Sequence, residues 1–225
     1  MPDIPNRDEL EAELAKLLGK LNRRHLMRLL EYLGDPPDIN NVPESFWRIA
    51  GEELGTAIRP FVEKVYLESA ERLMNETPIG VDWNIVNQNA FQWADAYTYD
   101  LVSGINATSR QAIQQAVGGF FTQQMTLGEL EAKLGSIYSP IRAEMIARTE
   151  VTRAAVEGER TFVDELGKQG VTMVETWQTR EDELVCPICG PLADHKLDDG
   201  WTRADGPPAH PRCRCWTIFE LEQPQ

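Results

Sequence analysis

All four cysteines of this 225-residue chain fall within residues 186–215, and that crowding restricts its C-terminal region more than any other feature. Cys186-Pro187-Ile188-Cys189 is a CxxC step, and His210-Pro211-Arg212-Cys213-Arg214-Cys215 supplies further sulfur and imidazole donors. Two sulfurs at CxxC spacing turn inward on a tight knuckle, and a second knuckle completes a tetrahedron of thiolate and imidazole ligands around Zn²⁺. Five residues compete for the four positions: Cys186, Cys189, His210, Cys213 and Cys215. HxxC mimics the CxxC knuckle and pairs His210 with Cys213. Cys213 and Cys215, two apart on an extended chain, also point to one face. Both pairings stay open.

The redox compartment bears on this choice. The opening Met1-Pro2-Asp3-Ile4-Pro5-Asn6-Arg7-Asp8 lacks the basic and apolar regions of a secretory signal. No apolar run approaches the roughly 20 residues that span a bilayer. A chain made and kept in a cytosol holds its thiols reduced, which favours a metal over a disulfide or redox pair, or over cysteines that only pack. A structural zinc is worth about 10–16 kcal/mol in small peptides, enough to fold a loop-rich module without a core of its own. Catalytic zinc needs an open position, and here ligands are in surplus. His195, in Ala193-Asp194-His195, is either a base for such a site or an ordinary loop histidine.

Upstream the pattern is helical. Over residues 8–33, Leu10, Leu14, Leu17, Leu18, Leu21, Leu29 and Leu30 recur at helical spacing, with Asn6 as cap, until Gly34-Asp35-Pro36-Pro37 ends the run. Residues 44–75 carry Phe46, Trp47, Ile49, Leu54, Ile58, Phe61, Val65 and Leu73, with Pro60 expected to kink or divide them. A helix from Asp82 through Tyr97 and another over residues 108–124, weakened by Gly118-Gly119, come next. Thr126 and Glu129 form a capping box for a short helix, and Ser139-Pro140 opens a long one that reaches about residue 167. His25, among Arg23, Arg24 and Arg28, reads as part of a solvated basic face. Residues 171–177 and 215–221 then alternate as strands, and a polar tail follows.

The fold class is therefore mainly α: a multi-helix N-terminal body over 1–138 for docking and assembly, then a long helix and a small α+β, zinc-stapled module over 139–225. Trp177 and Trp216 are its expected core. Glu144 with Arg148, and Glu150 with Arg153, stand one helical turn apart, where ion pairs usually decorate a surface. A sharper alternative has Arg148 or Glu150 anchoring the module through its backbone or Arg214.

Ile146-Ala147-Arg148-Thr149-Glu150-Val151-Thr152-Arg153-Ala154, Trp177-Gln178-Thr179-Arg180-Glu181-Asp182, Val185-Cys186-Pro187-Ile188-Cys189 and Pro207-Pro208-Ala209-His210-Pro211-Arg212-Cys213-Arg214-Cys215 occur in that order. Together they resemble the C-terminal signature of phage Mu protein F-like minor head proteins, over roughly the last ninety residues; the first 130 carry no matching signature. The resemblance implies a structural, non-enzymatic head-morphogenesis protein of a tailed bacteriophage. It implies residence inside the head or at the portal vertex, and in the host cytoplasm during assembly. Expected partners are the portal protein, coat or scaffold protein, and packaged DNA, with no membrane and no small-molecule substrate.

A net charge of −14 argues against a protein that grips nucleic acid over its whole surface, and suits docking on a basic partner. Two rival classes remain. A His-metal-finger nuclease would use Asp194-His195 between the knuckles, but lacks a second downstream Asn and His at catalytic spacing. A zinc-ribbon nucleic-acid binder would use Arg203, Arg212 and Arg214, against the acidic Glu181, Asp182, Glu183, Asp198 and Asp199.

Overall fold

The helical periods become five α-helices in the computed structural model, which describes residues 3–180 and 182–222. Met1, Pro2, Glu181 and the tail at 223–225 lie outside the described residues, and with them Glu181's place in the signature and in the acidic set. Helix α1 (Arg7–Leu33) follows Asn6, whose φ of 53° is left-handed rather than the extended backbone of a capping residue. It ends where Gly34 takes a φ of 73°, the conformation that lets a chain leave a helix without a Cβ clash.

Helix α2 (Glu44–Glu76) runs undivided through Pro60. Ile58 and Val62, on either side of the proline, are fully buried, and this burial outweighs the lost ladder bond. Helix α3 (Trp83–Thr122) joins the two helices expected over this stretch into one of 40 residues. Thr108 and Ser109 hydroxyls donate to the carbonyls of Gly104 at 2.9 Å and Ile105 at 2.6 Å, so these side chains bond back onto the helix instead of capping a break in it.

Helix α4 (Leu127–Ile137) has the Thr126–Glu129 capping box in full. Helix α5 (Pro140–Lys168) begins with Ser139 Oγ accepting from the Arg142 amide at 3.3 Å. Strands β1 (Met173–Gln178) and β2 (Trp216–Leu221) pair antiparallel, from Met173 opposite Leu221 to Gln178 opposite Trp216. No helix among the described residues is long and apolar enough to cross a membrane.

The chain alternates between two compact units. The first comprises Met1–Glu11, Phe61–Ala94 and Met145–Gln225. Its main core joins Ala70 and Leu73 of α2, Val86 of α3, Phe162, Val163 and Leu166 of α5, and Phe219 of β2. Gly158 lets α5 approach the α2 backbone: a Cβ there would lie 2.1 Å from the Tyr66 carbonyl oxygen. The second unit comprises Ala12–Pro60 and Asp95–Glu144, and its core packs Leu29 and Leu33 with Phe46, Trp47, Ile113, Val117, Leu130 and Leu134.

His25 corrects the sequence expectation. It is 1% exposed within the second unit, with Nε2 2.8 Å from Glu53 Oε2 and its ring edge-on to Phe46 and Tyr138. Arg28 Nη1 meets the other Glu53 oxygen at 3.0 Å, so the basic face surrounds a buried imidazole paired with a half-buried carboxylate. Burial pushes the His25 pKa down, and the Glu53 bond offsets this only in part.

Candidate metal centre

Local turns aim the donors. The Cys189 amide donates to the Cys186 carbonyl at 3.1 Å and its sulfur at 3.4 Å, and the Gly190 amide donates to the same carbonyl at 3.0 Å. This closes the first knuckle. In the second, the Cys213 amide donates to the His210 carbonyl at 3.1 Å, and Arg212 takes a φ of 66°. The Arg212 amide also donates to Thr149 Oγ1 of α5 at 3.1 Å, tying the knuckle to the helix.

All five expected donors come together as two triads that share Cys189. Cys186, Cys189 and His210 lie with their donor atoms within 4.8 Å of one another, as do Cys189, Cys213 and Cys215, and both groups can hold a metal ion. His210 Nε2 is 3.1 Å from Cys186 Sγ and 3.3 Å from Cys189 Sγ, while Cys189 and Cys213 sulfurs are 3.8 Å apart. Zn–S bonds of about 2.3 Å in a tetrahedron place two sulfurs about 3.8 Å apart, so the Cys189–Cys213 edge already has the length such an ion requires.

The imidazole is set for the same task. His210 Nδ1 lies 2.9 Å from the Pro211 carbonyl oxygen, which can only accept, so Nδ1 carries the proton and the Nε2 lone pair faces the sulfurs. Hydrogen bonds from Cys215, from its side chain first and then its amide, and one from the Ala209 amide hold Cys213 as a thiolate, lowered to about 5 against the opposing effect of burial. Burial also opposes ionisation of Cys186, but hydrogen bonds from the amide and side chain of Cys189 and from the amide of Ile188 outweigh it and lower its pKa. Burial and the neighbouring thiolate push Cys189 up to about 12, and Cys215, donating to Cys213, is likewise raised. Four thiols this close cannot all ionise unless a cation compensates them.

The surrounding packing differs from the expected one in its particulars. Trp177 is fully buried against Trp201, ring centroids 5.1 Å apart and edge to face, in one cluster with Cys189, Cys213 and Cys215. Trp201 thus holds the place expected for Trp216, which is buried outside that cluster. In its Asp- and Gly-rich loop, only the size of Trp201 hinted at burial.

Arg160 of α5, and not Arg148, anchors the module. Its Nε donates to Glu175 of β1 at 2.8 Å, and its Nη2 to the Gly206 carbonyl at 3.1 Å. Arg148 instead donates to Glu11 at 3.1 Å, and Glu150 is buried rather than solvated. Arg7 is the other residue that the sequence did not single out. Only 3% exposed, it donates to the carbonyls of Arg214 at 3.1 Å and Cys213 at 3.4 Å, beside the sulfur donors.

His195 stands outside both triads, with Nδ1 3.0 Å from the Asp199 carbonyl oxygen. Two of the three arginines expected to meet phosphate are taken by carboxylates, Arg203 by Glu175 and Asp164, and Arg214 by Asp182.

A family model described as Phage Mu protein F like protein matches residues 94–218, more than half of the chain. The match begins within α3, well upstream of the signature, so similarity reaches into the helices that seemed to carry none. It includes all five donors and both strands up to Ile218. No curated protein and no solved structure matched the chain.

Proposed function

This chain belongs to the Phage Mu protein F-like family, and from that membership we propose that it is a structural head-morphogenesis protein of a tailed bacteriophage, acting without catalysis. It docks on the portal protein and on coat or scaffold protein, and assists procapsid assembly and the packaging or delivery of DNA. It resides inside the head or at the portal vertex, after assembly in the host cytoplasm. The single observation that carries this reading is the family match itself, which runs from within α3 through α4 and α5 and takes in all five cysteine and histidine donors.

The module is stapled by one structural Zn²⁺ on Cys186, Cys189, His210 and Cys213. The choice of Cys213 rests on its 3.8 Å spacing from Cys189 and on the HxxC knuckle. Cys215 is the donor beside it, one whose hydrogen bond would stabilise a bound thiolate. The ion supplies cross-linking of two loops whose apolar core is small, and the surplus of ligands leaves no position open for a substrate.

Elemental analysis of the reduced, tag-free protein should find one zinc per chain. Cys186→Ser, Cys189→Ser and Cys213→Ser should lose it, and Cys215→Ser should keep it. Negligible zinc in the unmodified chain would refute the staple. Cross-linking and imaging of purified particles test the assembly role. A portal-proximal position is expected, and a chain found only free of particles, with nuclease activity, would overturn it. With a net charge of −14, binding to a basic portal surface should weaken as salt rises.

A further inference from the structure

The first turn of α1 reaches the metal knuckle directly. Arg7 Nη2 donates to Thr152 Oγ1 of α5 at 2.7 Å and to the Cys213 carbonyl at 3.4 Å. Its Nη1 donates to the Arg214 carbonyl at 3.1 Å and to Asp3 at 2.9 Å, and its Nε to Glu11 at 2.9 Å. The guanidinium is thus saturated by two carboxylates, a hydroxyl and two consecutive knuckle carbonyls. Neighbouring Arg180 donates to Asp3 at 2.8 Å and Asp8 at 3.0 Å, and Arg148 to Glu11. Since each of these arginines already faces a carboxylate, the cluster is a clasp and not an anion site.

We propose that Arg7 is a positioning residue for the metal centre: through the Cys213 and Arg214 carbonyls it sets the turn that carries Cys213 and Cys215, making the N-terminal segment part of the zinc-holding apparatus. The inference rests on the zinc reading above. A carbonyl held at Cys213 fixes the peptide plane that follows its Cα, and with it the direction in which the Cα–Cβ bond carries the sulfur toward the ion. Thr152 fixes the other side of the same guanidinium to α5, and the Thr149 bond to the Arg212 amide holds the preceding residue. The consequence is thermodynamic: whatever breaks the Arg7 bonds to the two knuckle carbonyls loosens the metal, and whatever removes the metal weakens those bonds.

The test uses the full-length chain, loaded with zinc or with cobalt(II). Arg7→Met keeps the buried aliphatic stem and removes the fork. Arg180→Gln loosens the same N-terminal segment without touching either knuckle carbonyl. Metal release to a chelator should accelerate about 10–100-fold in Arg7→Met, the range for loss of a group that orients a metal ligand. The visible bands of its cobalt form should shift in position and intensity. Arg180→Gln should match the unmodified protein in both.

Unchanged release and spectrum in a metal-loaded Arg7→Met would overturn the inference and leave the zinc reading intact. Equal changes in both variants would overturn it as well, since general loosening would then be the cause. An unmodified chain that takes up neither metal would sink both. Should Arg7→Met fail to fold, Thr152→Val removes one of the anchors of Arg7 and should accelerate release to a smaller degree. Release indistinguishable from the unmodified rate would count against the clasp.

Discussion

Gly158 offers the sharpest test of how the first unit packs. A methyl group built there meets the backbone of Tyr66, at 2.1 Å from O, 2.8 Å from C and 3.0 Å from Cα. None of these atoms can rotate away. To regain ordinary contact at 3.4 Å, the segments must part by about 1.3 Å, the difference from 2.1 Å. That displacement would also disturb the Tyr66 hydroxyl bond to Thr161 and the Tyr66–Trp93 ring contact at 5.2 Å. Overpacking of this kind costs about 3 kcal/mol at the upper end of its usual range. Alanine returns about 1 kcal/mol through its higher helix propensity.

Gly158→Ala should therefore destabilise by about 2 kcal/mol, a fall of about 4–8 °C in Tm for a chain of this size. Gly104→Ala is the reference: it lies inside α3 with nothing within 4 Å of the added methyl, and should stabilise by up to about 1 kcal/mol. Urea unfolding followed by far-UV circular dichroism reads both. A Gly158→Ala protein as stable as the unmodified chain would refute the close approach of α5 to α2 at Tyr66.

Glu175→Gln keeps the shape of the side chain but leaves Arg160, whose side chain is 9% exposed, without its counter-ion. The expected loss is about 3–5 kcal/mol, with faster proteolysis near residues 203–206, where Arg160 holds two carbonyls; a loss under about 1 kcal/mol would show that the pair does not anchor the loop. For His25, burial favours the neutral ring in the folded state, so on acidification the unfolded chain takes the proton first. The contribution of His25 is present above its ordinary value of 6.5 and is lost as pH falls below it toward the depressed folded value. Titration of the His25 ring by NMR should give a midpoint below 6.5, and a midpoint at or above that value would contradict the burial argument.

What the sequence determined by itself is what neighbours within a few residues decide. The two knuckles, the Thr126–Glu129 capping box, the entry of α5 at Ser139-Pro140 and the alternation of both strands depend on contacts one turn away, and each was legible. So was the gathering of five donor residues, because CxxC and HxxC spacing aims side chains whatever the rest of the chain does. Tertiary structure decided which long-range groups complete these local pieces. Arg7 meets Cys213 across 206 residues, and no periodicity of a lone arginine in a first helical turn could announce it. Arg160 rather than Arg148 anchors the loop, Trp201 rather than Trp216 fills the space beside Trp177, and His25 is buried among aromatics. The continuity of α2 through Pro60 and of α3 through residue 104 has the same origin. Local propensity differs between helix and break by only about 1–3 kcal/mol, and burial of a few large apolar side chains outweighs that once partners are in place.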